Sequence, residues 1–169
     1  MEHKSPAKIK IREINPESQA EVSLVALRMR LTLIERVGEE KATAMYSLDW
    51  LVNRVLWHLD PSQTTAKVFL AEDRDGRVVA HAIARIERDE NGRAFGYFST
   101  IYVEPLLRNQ GLATSLLLKV ESWLSEMKMP KIIYNTAANH EKLIRLFGRH
   151  GYSVTHRESE MVQLTKQLH

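Results

Sequence analysis

The chain contains no cysteine, which excludes disulfides, thiolate metal ligands and any covalent intermediate carried on a cysteine. No apolar run approaches the length that crosses a bilayer, and the N-terminal Met-Glu-His-Lys-Ser-Pro has no apolar signal core. The expectation is therefore a cytoplasmic protein with no membrane partner. Neither sign of charge dominates: 24 basic residues face 21 acidic ones for a formal charge of +3, and the signs are interspersed. The pI of about 9.2 is the single hint of a polyanionic partner. No basic run supports it, so a nucleic-acid partner is not expected. No His/Asp/Glu set has metal-ligand spacing, and no metal is expected.

What remains is an ordinary globular composition, 44% apolar and 27% charged over 169 residues, enough for one domain with a substantial core. Residues 1–8 read as a flexible tail and 9–169 as the domain. Ile9 to Ile14 alternate apolar and polar, as a half-buried strand does. A helix is expected from about Ser18 to Gly38, with Ala20, Leu24, Leu27, Leu31 and Ile34 inward. A second is expected with Met45, Leu48, Val52, Val55 and Leu59 inward, ending before Pro61. Residues 67–103 read as a three-strand meander whose turns end in Asp75-Gly76 and Asn91-Gly92. The helix after Ala113 carries Leu116, Leu117, Val120, Leu124 and Met127 on one side. A strand at Ile132–Tyr134, a helix closed by Gly151 and two final strands complete an α/β domain, without repeat or linker.

The most informative stretch is Tyr97 to Leu116. An apolar strand reaches Pro105, a turn carries Arg108-Asn109-Gln110-Gly111-Leu112-Ala113, and an amphipathic helix follows. Strand, glycine-bearing turn and helix start leave backbone N–H groups pointing outward. The positive end of the helix dipole makes that arrangement an anion site, suited to phosphate.

This order, with Arg108-x-x-Gly111-x-Ala113 after Val103-x-Pro105 and before Thr114, resembles the GNAT (Gcn5-related N-acetyltransferase) superfamily over nearly the whole chain. Phe147-Gly148-Arg149-His150-Gly151-Tyr152 matches that family's second landmark at the end of its last helix. The resemblance implies a single-domain, mixed but mainly antiparallel sheet flanked by helices on both faces. It implies acetyl-coenzyme A as acyl donor and an amine-bearing acceptor, with a homodimer as a further expectation. Backbone groups of Ile101 and Val103, either side of Tyr102, would pair with the pantetheine arm. The N–H groups of Asn109, Gln110, Gly111, Leu112 and Ala113 would cradle the pyrophosphate, with Thr114 as an extra donor. Arg108 is either a phosphate contact or a solvated surface charge, and Ser115 is helix surface. The family's cofactor-touching asparagine falls on Asn139, or by counting back from Gly151-Tyr152 on His140.

The same count puts Phe147 where many members carry a tyrosine that protonates the departing thiolate. A phenyl ring cannot do this, so Phe147 is expected in the core or against the pantetheine, and a dedicated acid is in doubt. Water, Tyr102, Tyr134 or Tyr152 could serve instead. The family's base positions fall on Tyr97 and Ser99, neither basic at neutral pH, so each could only orient a relaying water. Glu104 and Glu87 are the nearest carboxylates, and either could act as the base through water; Glu104 is the one carried as a catalytic candidate with Tyr97 and Ser99, and a solvated charge is its alternative. His81, His150 and His156 read as packing or surface histidines, and Trp50 and Trp57 as core or dimer contacts. An N-acetyltransferase working by direct attack of a primary amine is the expectation. A catalytically weak or inert acyl-coenzyme A sensor is the alternative.

Overall fold

The computed structural model describes residues 8–168; residues 1–7 of the expected tail, and His169, lie outside the described residues. The order is β1 (Lys10–Glu13), α1 (Gln19–Val37), α2 (Glu39–Met45), α3 (Leu48–His58), β2 (Ala66–Glu72), β3 (Val78–Arg88) and β4 (Ala94–Val103). A 3-10 turn (Pro105–Leu107) follows, then α4 (Leu112–Glu126), β5 (Lys131–Ala137), α5 (Glu141–Arg149), β6 (Ser153–Glu158) and β7 (Met161–Gln167). One seven-stranded sheet runs β1-β2-β3-β4-β5-β7-β6. Every neighbouring pair is antiparallel except β4 and β5. The expected mixed, mainly antiparallel sheet is what forms.

Two apolar clusters cover the sheet's faces. One joins Leu116, Leu117, Val120 and Leu124 of α4 and Phe147 of α5 to Ala82, Ala84 and Phe98. The other joins Val22, Val25 and Ala26 of α1 and Leu51 and Val55 of α3 to Val68, Leu70 and Ile83. The helix α4 lies so close to β4 that a Cβ on Gly96 would stand 2.6 Å from Leu124 Cδ1. Glycine is required there by contact, not by turn geometry.

The N-terminal helices depart from the sequence reading in number and in phase. Tyr46 is extended and Ser47 caps α3, its side chain accepting from the Trp50 amide at 3.0 Å. The local cap wins over the continuous apolar spacing and yields three helices instead of two. The buried residues are Leu51, Val55 (as expected) and His58 on α3, and Val22, Val25, Ala26, Arg28 and Leu33 on α1. Ala20, Leu27, Leu31, Met45 and Leu48, all expected inward, are exposed. Trp50 is 44% exposed and stacks on Tyr46 instead of entering the core. On α4, Leu116, Leu117, Val120 and Leu124 are buried as expected, while Met127 at its C-cap is exposed.

Candidate active site

The site begins where β4 and β5 part. They pair only over Gly96–Ile132, Tyr97–Ile133 and Phe98–Tyr134. In the β3–β4 register Thr100 faces Ile83 and Phe98 faces Ala84, which leaves Ser99 without a partner. That extra residue is a bulge, and bulges bend the strand that carries them. Beyond it β4 continues to Val103 with no partner on the β5 side. The Glu104 N–H donates to the Val79 carbonyl of β3 at 3.0 Å. Alternation along the strand then turns the peptide groups of Val103 and Ile101 toward the open side.

A cavity of about 420 Å³ occupies the opening. Ile101, Tyr102 and Val103 form one wall, Arg108, Asn109 and Gly111 to Thr114 the end, and His140 and Leu143 the opposite wall. Thr32 and Glu35 of α1, Leu107, and Lys142, Leu146 and Arg149 also line it. None of these six, nor Leu143, was expected from sequence. Lys142 and Arg149 lie seven apart on one face of α5, a spacing that could have marked them. Thr32 and Glu35 reach the site only through tertiary packing.

At the end of the cavity, Asn109 (φ 66) and Gly111 (φ 85) both take the left-handed conformation. Glycine reaches it at no steric cost, and asparagine is among the few other residues that tolerate it. Gly111 occupies the N-cap position of α4 and supplies no capping side chain. As a result the amides of Gln110, Gly111, Leu112, Ala113 and Thr114 find no hydrogen-bond acceptor among the described residues. Unpaired amides in series at a helix start are an anion cradle. The Ser115 hydroxyl turns back to the Gly111 carbonyl at 3.1 Å, on the helix surface. Gln110 is exposed and outside the cavity lining, its side-chain Nε2 turned to the Leu106 carbonyl at 3.5 Å.

Arg108 lines the cavity and is engaged on two sides. Its Nε donates to the Val103 carbonyl at 2.9 Å, and its two terminal nitrogens pair with Glu35 at 2.9 and 3.3 Å. It therefore straps the turn to the open edge of β4 and to α1. With Lys142 and Arg149 it leaves the rim cationic despite Glu35. His140, not Asn139, lines the cavity; Asn139 is exposed. Burial holds the His140 imidazole below its ordinary pKa, the charges of Arg36 and Arg108 add to this, and Glu35 opposes. His140 is therefore a neutral group near pH 7.

Phe147 is absent from the cavity lining and fully buried. It stacks on Tyr134 at 4.1 Å between ring centroids and meets Phe98 and Tyr152 edge-on at 5.3 and 4.9 Å. Of its two expected places, the core is the one it occupies. Tyr134 is buried and pushed up to about 12 by desolvation, and Tyr152 is raised further by burial and then by the Glu121 charge. Neither lines the cavity, whereas Tyr102 does.

Glu104 is not a free carboxylate. It receives Arg28 at 2.6 Å and Arg77 at 2.7 and 2.8 Å, tying α1 to the start of β3. Both carboxylate oxygens are thus engaged by guanidiniums, and Glu104 is absent from the cavity lining. Tyr97 and Ser99 stand at the bulge outside the cavity lining. The Tyr97 hydroxyl accepts from Asn135 at 3.3 Å, and Ser99 Oγ accepts from Arg85, also at 3.3 Å.

Residues 31–152 match the model of the acetyltransferase (GNAT) family. The chain belongs to that family. A curated relative, mycothiol acetyltransferase of Acidimicrobium ferrooxidans, is 25% identical over 114 residues, 68% of this chain. The chain spans 37% of that relative's length. Among solved structures, the PaiA N-acetyltransferase of Thermoplasma acidophilum in complex with coenzyme A superposes with a TM-score of 0.75 at 13% identity. The match covers 95% of this chain and 99% of that one. The yncA protein of Salmonella typhimurium with its cofactor acetyl-CoA gives 0.73 at 16% identity, covering 95% and 94%. At such identities these likenesses are of fold. Among the described residues no helix is long and apolar enough to cross a membrane, and no group of three or more His, Asp or Glu could hold a metal ion.

Proposed function

We propose that this chain transfers an acetyl group from acetyl-coenzyme A to a primary amine by direct attack, with residues 9–169 as the transferring domain. The observation that carries the reading is the run of acceptor-free amides from Gln110 to Thr114, at the end of a cavity walled by an open strand edge. A pyrophosphate fits the amides and the cationic rim, and a chain of secondary amides fits the edge peptides of Ile101 and Val103. When bound, the thioester supplies the activated acyl group.

The residues of this chain would then divide the work. The amides of Gln110 to Thr114 bind the diphosphate. The peptide groups of Ile101 and Val103 orient the amide arm, and Arg108 releases the Val103 carbonyl or shares it. Tyr102, which lines the cavity, would return a proton to the thiolate. An alkyl amine with a pKa of about 10.4 must shed a proton before attack. The polar groups at the bulge, Tyr97 and Ser99, are placed to orient a water that takes it.

Two observations favour a second reading, an acyl-coenzyme A-binding protein without turnover: Phe147 lies in the core and Glu104 is bound by two arginines. Calorimetric titration with coenzyme A, followed by release of free thiol from acetyl-coenzyme A over a panel of amines, decides between them. Acceptor-dependent thiol release supports transfer; micromolar binding with no release on any amine supports the second reading. Absence of binding refutes both.

A further inference from the structure

A polar cluster adjoins the bulge on the α1/α3 face, outside the donor cavity. Arg85 of β3 stands at its centre with a side chain only 12% exposed. Its Nε pairs with Glu87, and one terminal nitrogen reaches His58 Nε2 at 3.0 Å and Ser99 Oγ at 3.3 Å. The Arg85 guanidinium also lies 4.5 Å from the Tyr97 ring and 5.6 Å from the Trp57 ring. A second guanidinium, that of Arg54 on α3, stacks on Trp57 at 3.9 Å.

The cluster's charge does not balance. His58 is buried, and its Nδ1–H donates to the Arg54 carbonyl at 2.9 Å, leaving Nε2 to accept from Arg85. The ring is thus neutral, and burial keeps it so by lowering its pKa to about 4. Two guanidiniums face the single carboxylate of Glu87. Arg54 has no ion-pair or hydrogen-bond partner for its guanidinium among the described residues, although it is half-buried. Burial, followed by the charge of Arg85, disfavours its charged form. An anion arriving between the two arginines would relieve both costs.

The cluster's position gives that anion a role. Ser99 precedes Ile101 by two residues, about 7 Å along the strand. It stands at the opposite end of the open edge from the α4 amides. A donor held by those amides and laid along Val103 and Ile101 brings its reactive end to the bulge. An acceptor that meets it there touches this cluster.

We infer that the acceptor amine belongs to a molecule bearing a carboxylate, which Arg54 and Arg85 bind over the Trp57 ring. This rests on the acetyl-transfer reading given above. One unbalanced positive charge suits a monoanion, and the planar guanidinium fork suits a carboxylate.

The test uses the full chain saturated with coenzyme A and follows binding of product-like probes by NMR titration. N-acetyl-leucine and N-acetylglycine are compared with their primary amides, and with N-acetyl-2-aminoethyl phosphate. The carboxylates are expected to bind at least tenfold more tightly than the amides. Arg54→Gln is expected to remove that preference while leaving coenzyme A affinity within twofold of the parent. Equal binding of acid and amide, a preference that survives Arg54→Gln, or tighter binding of the phosphate overturns the carboxylate assignment. Failure of the parent protein to bind coenzyme A at all is a separate result, and it refutes the acetyl-transfer reading itself. Arg85→Lys, which keeps the charge but loses the fork, is expected to weaken the carboxylates alone.

Discussion

Replacing Gly111 by valine tests the cradle at its sharpest point. The residue sits at φ 85 and ψ 2, and a Cβ added there meets no atom within 4 Å. The substitution is therefore not opposed by crowding in the free protein. It is opposed by backbone conformation, which costs an L-residue about 1–2 kcal/mol in the left-handed region and more when it is β-branched. The chain has two responses. It can hold the turn and lose that much stability, a fall in Tm of about 2–8 °C for a protein of this size. Or it can let residue 111 swing to negative φ, which turns the Gly111 and Leu112 amides away from the common focus.

The second response is the informative one. A hydrogen bond from an amide to a charged phosphate contributes about 1.5–3 kcal/mol. Losing one costs roughly tenfold to a hundredfold in affinity. In the first response the valine side chain projects toward the ligand, and a loss of the same order follows from contact. Titration calorimetry with coenzyme A should show at least a tenfold rise in Kd, with thermal unfolding still cooperative. Pantetheine, which has the arm but no phosphate, should bind parent and variant alike. An unchanged Kd for coenzyme A refutes the cradle, and so does an equal loss for pantetheine.

Glu104→Gln should cost about 3 kcal/mol by denaturant unfolding, because Arg28, 6% exposed, loses its buried counter-charge. The turnover of the protein that remains folded should be kept, and a rate loss exceeding tenfold at full folding would support Glu104 as a base. Phe147→Tyr would put a hydroxyl into a fully buried aromatic cluster. It should destabilise by about 1–3 kcal/mol without raising the rate of thiol release. A faster enzyme would show that the hydroxyl reaches the thioester. Acid should weaken the fold through two buried histidines, His58 lowered to about 4 and His81 to about 3, both by desolvation first. Their folded pKa lies below the unfolded value of about 6.5, so the unfolded chain takes up the protons. Stability is then complete above about pH 6.5 and is lost as pH falls toward 4, by about 2 kcal/mol per histidine between pH 7 and 5. Urea midpoints that do not move over that range would refute the assignment of both rings as neutral.

The donor end of the site was legible in the sequence because its determinants are local. Strand, Pro105, Gly111 and amphipathic helix follow one another within twenty residues, and each signals its own geometry. The cavity lining holds His140 and not Asn139 for a related reason. The count from Gly151 runs along one helix with fixed rise, whereas a cap position can slip by one residue. What was not legible depends on distant partners. Glu104 looked like a free carboxylate because Arg28 lies 76 residues away in the chain. The inward face of α3 was misread because the Ser47 cap resets the helical phase, and that of α1 because Leu27 and Leu31 are apolar yet exposed.

The bulge at Ser99 unites the two halves of the site. In a regular strand Ser99 would have a partner on β3, and β4 would keep its direction alongside β5. With one residue extra, β4 parts from β5 after Phe98 and leaves the edge peptides of Ile101 and Val103 without a strand partner, the Val103 carbonyl being taken by Arg108 Nε. The same residue brings its hydroxyl to Arg85, whose other hydrogen-bond partners are His58 and Glu87. A single irregularity thus opens the groove for a donor and fixes the cation beside its far end. Deleting Ser99 should restore regular pairing and close the opening, so that coenzyme A binding and the preference for carboxylate probes are lost together. If the deletion variant folds cooperatively and still binds coenzyme A with the parent's Kd, the groove does not depend on the bulge, and the donor and acceptor ends have separate structural origins.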